Sequence, residues 1–442
     1  MTPSNLKNLL NRAIKRVVAT RGSHSSDLRN FTRVRKLPLE SVVTLLHTMD
    51  GGSLAKELHK AGIASNPTPA AFIQQRHKIN PSAFREIMQD FNQSCTDDEL
   101  YCGYRLLAID GTSVNLPYNP DSESFLAVDT HPRGGYNALH INPLYDLQNK
   151  TYFDCAIQAK SKMDEQGALI KMLYTKIKML YTNNFETPTI IIGDRGYESY
   201  NIFAHMLSRP NVDFLIRVKQ GKSAMRDISN LPMMELDKDI SLTLTTSQSK
   251  AHREAGYVLM QMSSKKGHKN RARWDFSHIN PFPMKFRCVR FLLPSGEYET
   301  LVTSLPRAHF GIEELKALYH MRWGIETSFR VLKYCTGLIN IHSKSDRFAE
   351  QEVYAALTMF NFCNRISREV VIQQKKTNRY EYKVNLTMAI FLCKEFFRDP
   401  NGDAEKLIRE IAMYTEPVRP GRADQRNIKV KGFVGFTYRV AA

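Results

Sequence analysis

Four residues near position 320 carry the densest chemistry in the chain: Tyr319, Arg322, Glu326 and Lys333. On one α-helix, at about 100° per residue, they fall at about 0°, −60°, −20° and −40°, inside a single arc. Leu318, Met321, Ile325, Phe329 and Leu332 fall on the adjacent flank. That flank would pack on a core. A carboxylate flanked by two cations and a phenol would then face outward. The carboxylate suits a hard divalent cation, and the cations suit phosphate. Taken alone, Arg322 and Glu326 are an ordinary i,i+4 ion pair worth a few tenths of a kcal/mol, roughly. Two upstream aspartates change the weight. Asp110 follows the apolar run Leu106, Leu107, Ala108, Ile109, and Asp194 follows Ile190, Ile191, Ile192, Gly193. Singly, Asp110-Gly111 is a hairpin-turn signal and Asp194 a helix N-cap. Together with Glu326 they form a set of carboxylates able to hold Mg²⁺ or Mn²⁺ through oxygen and to serve a two-metal phosphoryl-transfer site.

Such a set requires strands to deliver the aspartates and a helix to deliver the glutamate. The pattern predicts strands over 104–109, 113–116, 139–147 and 151–159, a helix over 164–180, a buried strand over 189–193, a helix over 197–207 and a strand over 213–219. Antiparallel strands followed by helix, strand, helix, strand is the order of an α/β, ribonuclease H-like core, a mixed five-stranded sheet with helices. Period-two segments at 241–246, 257–262, 284–293 and 298–304 predict a β-rich insertion. Five parts are expected: a helical DNA-binding region (1–100), the first part of the core (101–220), the insertion (221–305), the second part of the core with the glutamate helix (306–345), and a helical C-terminal region with a basic tail (346–442). Within the N-terminal part, 37–59 is helical and broken at Gly51-Gly52, 65–69 is a turn and helix start, and Pro81 opens another helix. Helices are expected at 350–371 and 386–397.

The 442 residues carry a formal charge of +18. Residues 1–36 hold nine Lys/Arg against Asp27, a cluster at 265–273 holds five, and 417–442 hold six against Asp424. Basic charge spread in this way favours a polyanion, because each phosphate neutralised releases counterions. No basic amphipathic run carries the bulky apolar residues that enter lipid. The seven cysteines are scattered without CxxC spacing, which reads as free thiols in a reducing compartment rather than zinc ligands. No apolar run reaches a membrane-spanning length of about 18 residues, and the N-terminus lacks a signal-peptide core. A cytoplasmic, nucleoid-associated protein is expected.

Three stretches resemble the DDE transposases of bacterial insertion sequences: Leu107 to Thr112, Ile192 to Tyr197, and the spacing Tyr319-x2-Arg322-x3-Glu326-x6-Lys333, which is similar to the YREK signature of the insertion sequence 4 family. Leu144-Tyr145-Asp146, His342 to Ser345 and Glu350-Gln351-Glu352 agree as flanks. The resemblance spans about residues 35–400. It implies that Asp110, Asp194 and Glu326 are the metal-binding catalytic triad, and that Tyr319, Arg322 and Lys333 grip DNA phosphates. It also implies a base-stacking aromatic residue near the insertion, for which Tyr298 and Trp323 are the candidates. The partners implied are double-stranded DNA, as terminal inverted repeats and target, and a second copy of the chain in a synaptic complex. The reaction implied is cut-and-paste transposition through a hairpin intermediate. Arg195 and Lys219 read as solvated charges, and His320 and His342 stay outside the metal set. Another ribonuclease H-like nuclease, or a non-catalytic DNA-binding protein derived from a transposase, are the alternatives.

Overall fold

The computed structural model describes residues 1–33, 36–63, 67–174, 176–177, 180–181, 185–221, 225–260, 274–341 and 343–419. The basic cluster at 265–273, the turn at 65–66, His342 and the tail beyond 419 lie outside the described residues.

Five helices open the chain: α1 (Pro3–Ala19), α2 (Leu39–Thr48), α3 (Leu54–Lys60), α4 (Pro69–Arg76) and α5 (Ser82–Ser94). Thr2, Ser53 and Thr68 cap three of them by accepting a backbone N–H, which satisfies donors a helix start leaves orphaned. The break between α2 and α3 falls at Gly51-Gly52 as expected. Glu57, itself buried, closes it: Oε1 accepts the amides of Asp50, Gly51 and Gly52 at 3.1, 3.1 and 2.7 Å.

Next come β1 (Arg105–Ile109), β2 (Thr112–Leu116), β3 (Phe125–Ala127), β4 (Gly135–Asp146) and β5 (Thr151–Ala159). They are followed by α6 (Glu165–Leu173), a pair of two-residue strands β6 (Lys176–Ile177) and β7 (Leu180–Tyr181), β8 (Thr189–Gly193), α7 (Tyr200–Leu207) and β9 (Val212–Arg217). The helix expected over 164–180 therefore ends at Leu173. Asp164 caps its start through the Gly167 amide.

The region from 221 to 305 supplies α8 (Arg226–Ser229), β10 (Leu236–Thr245), α9 (Lys250–Glu254), β11 (Val258–Leu259), β12 (Phe282–Leu292) and β13 (Tyr298–Thr303). It is β-rich, and it continues the central sheet, because β13 pairs antiparallel with β9. Among the described residues one mixed sheet runs β11-β10-β12-β13-β9-β8-β1-β4, with β2 on the same side of β4 as β1, and β3 and β5 on its other side. The sheet is thus wider than the five strands expected. Within it, β1, β8 and β9 are mutually parallel, and β4 and β5 run antiparallel.

Two helices then follow in succession, α10 (Ile312–Met321) and α11 (Trp323–Tyr334), and after them α12 (Asp346–Arg368), β14 (Glu381–Val384), α13 (Leu386–Arg398), α14 (Ala404–Met413) and β15 (Thr415–Val418), which pairs with β14. The long helix α12 is buried along most of its length and lies against β5 and α5. The Asn361 amide side chain accepts the Tyr152 N–H at 2.7 Å and donates to its carbonyl at 2.8 Å, so backbone groups of β5 that lack a strand partner are satisfied from the helix. No described helix is long and apolar enough to cross a membrane, and all seven cysteines are free.

Candidate active site

The first aspartate is placed by an interrupted strand, not by a hairpin. β1 and β2 pair with the same strand, β4, in one register: Ile109 faces Leu144 and Thr112 faces Ile141. They form one line broken at Asp110-Gly111, and the residue that register sets opposite Asp110 is Pro143. Proline has no N–H to give to a ladder, which accounts for the gap. The Asp110 carboxylate turns back on the break and accepts the Gly111 amide at 2.7 Å.

The second aspartate stands level with the first. Ala108 of β1 pairs with Ile192 of β8, and Asp110 and Asp194 each lie two residues beyond that pair. Neighbouring strands are about 4.8 Å apart, so their carboxyl ends set the two aspartates side by side. Asp194 caps a short 3₁₀ turn, Arg195–Tyr197, by accepting the Gly196 amide at 2.8 Å.

The glutamate arrives on α11. Ile325, Phe329 and Leu332 are buried as expected, and the Ser328 hydroxyl meets that of Tyr152 on β5 at 2.8 Å. A side chain at Gly324 would press on Leu147, so glycine lets the first turn approach the sheet closely. The single outward-facing helix read from the sequence is corrected here. The backbone tightens to three-residue hydrogen bonds around Arg322, from its amide to the Tyr319 carbonyl and from the Ile325 amide to its own carbonyl, and α10 ends there. Glycine two residues later weakens helix continuation at this point. As a result Tyr319 and Arg322 point inward, both 6% exposed, and only Glu326, Lys333 and Trp323 remain partly or largely open.

Arg322 organises the site. Its guanidinium reaches Glu326 at 2.8 Å and Asp110 at 3.6 Å, with the rings of Tyr319 and Trp323 at 5.6 and 5.7 Å. The i,i+4 pair is real, yet it is largely buried and reaches a third partner 212 residues away in sequence (322 − 110). Burial pushes the Asp110 carboxyl up to about 6; Asp194 and Glu326 add to the rise, while the Gly111 amide and Arg322 oppose it. A carboxyl crowded in this way favours any added positive charge. Among the described residues, no three His, Cys, Asp or Glu side chains converge closely enough to hold a metal ion together. The donor chemistry of Asp110, Asp194 and Glu326 still fits a hard divalent cation, being carboxylate oxygen throughout; the guanidinium of Arg322 lies between two of them.

The remaining expected residues divide by position. Lys333 is on α11 two turns beyond Glu326. Trp323 is 47% exposed at the first position of α11. Tyr298 opens β13, and since β13 runs antiparallel to β9, it lies at the same sheet edge as the aspartates, three strands from β1. Its carbonyl accepts from Gln220, just past the end of β9. Arg195, Lys219 and His320 are exposed.

Two residues beside the site, His140 and Glu165, escaped the sequence reading, and a third, Tyr197, stood in the Ile192 to Tyr197 stretch without a role. His140 of β4 is buried, and its Nε2 meets the Glu165 carboxylate at 2.8 Å. That hydrogen bond holds the Glu165 carboxyl below its ordinary value. The Tyr197 hydroxyl is buried without a hydrogen-bond partner among the described residues. Burial, with Glu165, Asp110 and Asp194, keeps it protonated against the pull of Arg322. An aspartate and glutamate opening a helix is the one local signal for Glu165; a histidine inside a buried strand gives none.

Residues 101–362 match the family described as "Transposase DDE domain". Over 410 residues the chain is 22% identical to "Transposase InsG for insertion sequence element IS4" of Escherichia coli (strain K12), a match covering 89% of this chain and 82% of that protein. Among solved structures, a cryo-EM structure of the piggyBac transposase synaptic complex with hairpin DNA is similar over 97% of this chain and 88% of that one, at 12% identity and a TM-score of 0.45.

Proposed function

The chain belongs to the transposase DDE domain family, and on that premise we propose that it binds the terminal inverted repeats of an insertion sequence and cuts and joins DNA strands there, with Asp110, Asp194 and Glu326 as the catalytic carboxylates. Divalent-metal dependence goes with that family. The observation that carries the residue assignment is the level placement of Asp110 and Asp194 on adjacent parallel strands, with Glu326 linked to Asp110 through one guanidinium. Strands β5-β4-β1-β8-β9 support the reading of a ribonuclease H-like core, since the strand order and directions are those of that fold.

Asp110, Asp194 and Glu326 would hold Mg²⁺ or Mn²⁺, which when bound supplies an activated oxygen nucleophile and stabilises the leaving oxygen of the phosphodiester. The protein's own groups do the positioning. The Gly111 and Gly196 amides aim the two aspartates. Arg322, buried between Glu326 and Asp110, offsets the mutual repulsion of the carboxylates; Lys333, partly exposed on α11, is the candidate contact for a phosphate beside the cut, and Arg322 and Tyr319 would join it where bound DNA opens the site around them. Trp323, exposed at the start of α11 beside Arg322, and Tyr298, at the sheet edge of the aspartates, are the candidates to stack on an extruded base if the reaction passes through a hairpin.

The five regions keep their expected roles as proposals. The basic helices of residues 1–100 are the reader of the terminal repeats, residues 101–220 and 306–345 the core, 221–305 an extension of its sheet, and 346–442 the helical C-terminal region, whose α12 packs on the core; a second copy of the chain would join in the synaptic complex. A nucleoid-associated protein follows from DNA as partner. The test is end cleavage: Glu326→Ala should abolish cutting of a labelled duplex bearing the element's terminus in Mg²⁺ while binding to that duplex stays within about twofold. Cutting by the purified variant removes Glu326 from the catalytic set.

A further inference from the structure

The break at Asp110-Gly111 lacks the ladder hydrogen bonds that hold the rest of its strand, so something else must fix the first aspartate. Two side chains lie against it. A Cβ at Gly111 would collide with both Glu165 Oε1 and His140 Nε2. Glycine is thus required at this position by close approach. His140 is itself held on its other side: Ser113, its cross-strand partner on β2, places its hydroxyl 3.1 Å from Nδ1. The ring is thus held at both nitrogens, Nε2 donating to the Glu165 carboxylate and Nδ1 paired with the Ser113 hydroxyl. Glu165 also faces the second aspartate. Its Oε2 lies against Gly196, where a Cβ would stand 3.5 Å away, and the adjacent Gln166 donates to the Gly196 carbonyl at 2.8 Å. Gly196 is the residue whose amide holds Asp194. The first turn of α6 therefore touches both aspartate-bearing segments at once.

We propose that Glu165, held by His140, is a positioning residue that braces the Asp110-Gly111 break against the Asp194 turn and so sets the separation of the two aspartates. This rests on reading Asp110 and Asp194 as metal-binding carboxylates. A fourth carboxylate beside three others adds repulsion, and simple filling of space would not require one. Its use is geometric: one oxygen for the histidine and Gly111, the other toward Gly196.

The test is calorimetric titration of the full-length protein with Mn²⁺ alone, beside cleavage of a terminal duplex over a Mg²⁺ series. Glu165→Ala should weaken Mn²⁺ binding about 10- to 100-fold, the range for residues that orient a ligand, and raise the half-saturating Mg²⁺ for cleavage by a similar factor. Glu165→Gln keeps an oxygen for His140 and should restore Mn²⁺ affinity to within about threefold. An unchanged affinity in Glu165→Ala overturns the brace, and so does an equal loss in both variants, which would make Glu165 a ligand. Should Glu165→Ala melt below the assay temperature, His140→Gln carries the test with the same thresholds. Asp110→Ala run alongside separates the two readings: if it too leaves Mn²⁺ binding intact, the metal-site reading fails and not the brace alone.

Discussion

Replacing Asp110 by asparagine should stabilise the metal-free protein while ending its cleavage activity. The Asp110 carboxyl sits at about 6 instead of an ordinary 3.8, raised first by burial and then by Asp194 and Glu326. Its side chain is 24% exposed, so solvent screens only part of this. A rise of about two units at about 1.4 kcal/mol per unit is about 3 kcal/mol, the cost of keeping this carboxylate ionised in the native state. The sign follows from linkage: between the unfolded value near 4 and the folded value near 6 the native state binds more protons than the unfolded chain, so stability falls as pH rises through that window and is level above it. Asparagine does not titrate and keeps an oxygen for the Gly111 amide. Urea unfolding in EDTA at pH 8 should show Asp110→Asn more stable by about 2–3 kcal/mol, with the gain falling to about 0.5 kcal/mol at pH 4 and to nothing by about pH 3. Adding Mg²⁺ should then stabilise the parent protein and not the variant. If the variant is no more stable at pH 8, or keeps its full advantage at pH 4, the carboxylates are not crowded at this edge and the argument from their electrostatics fails.

Other expectations follow from the same geometry. Lys333→Ala should weaken binding to a terminal duplex and lower the slope of log K against log salt by about one unit, read by fluorescence anisotropy over a NaCl series; an unchanged slope would place Lys333 off the phosphates. Arg322→Lys keeps the charge but loses the planar fork that reaches Glu326 and Asp110 together, and should cost about 1.5–3 kcal/mol in urea unfolding along with most cleavage activity; full activity in the lysine variant would show that charge alone suffices. Glu57→Gln weakens the three amide contacts that close the α2–α3 break and should cost about 2 kcal/mol of stability, while cleavage per folded molecule is unchanged.

The strands that carry Asp110 and Asp194 were legible because they are short runs of buried aliphatic residues ending in a charge, a local pattern that needs no partner to recognise. The buried flank of α11 was legible for the same reason, from its helical period. Several features were not. The helical period runs through Arg322 without marking the break there, and the close approach of Gly324 to Leu147 joins residues far apart in sequence. Asp110-Gly111 has the local signature of a hairpin, and only pairing to β4 opposite Pro143 makes it a gap in a strand. The end of the helix at Leu173 was overrun because its apolar period continues into residues that leave it.

By itself the sequence determined which residue types stand at which spacings: three acids after or among apolar periods, an arginine four residues before the glutamate, and a basic excess suited to phosphate. These are properties of chain neighbours, and local periodicity carries them. Only the tertiary structure decided that Arg322 faces inward between Asp110 and Glu326, that the region from 221 to 305 widens the same sheet, and that Glu165 and His140 close on Gly111. Each of these is a contact between segments far apart in the chain, fixed by strand register and by how closely a helix can approach a sheet, and no local pattern encodes such a distance.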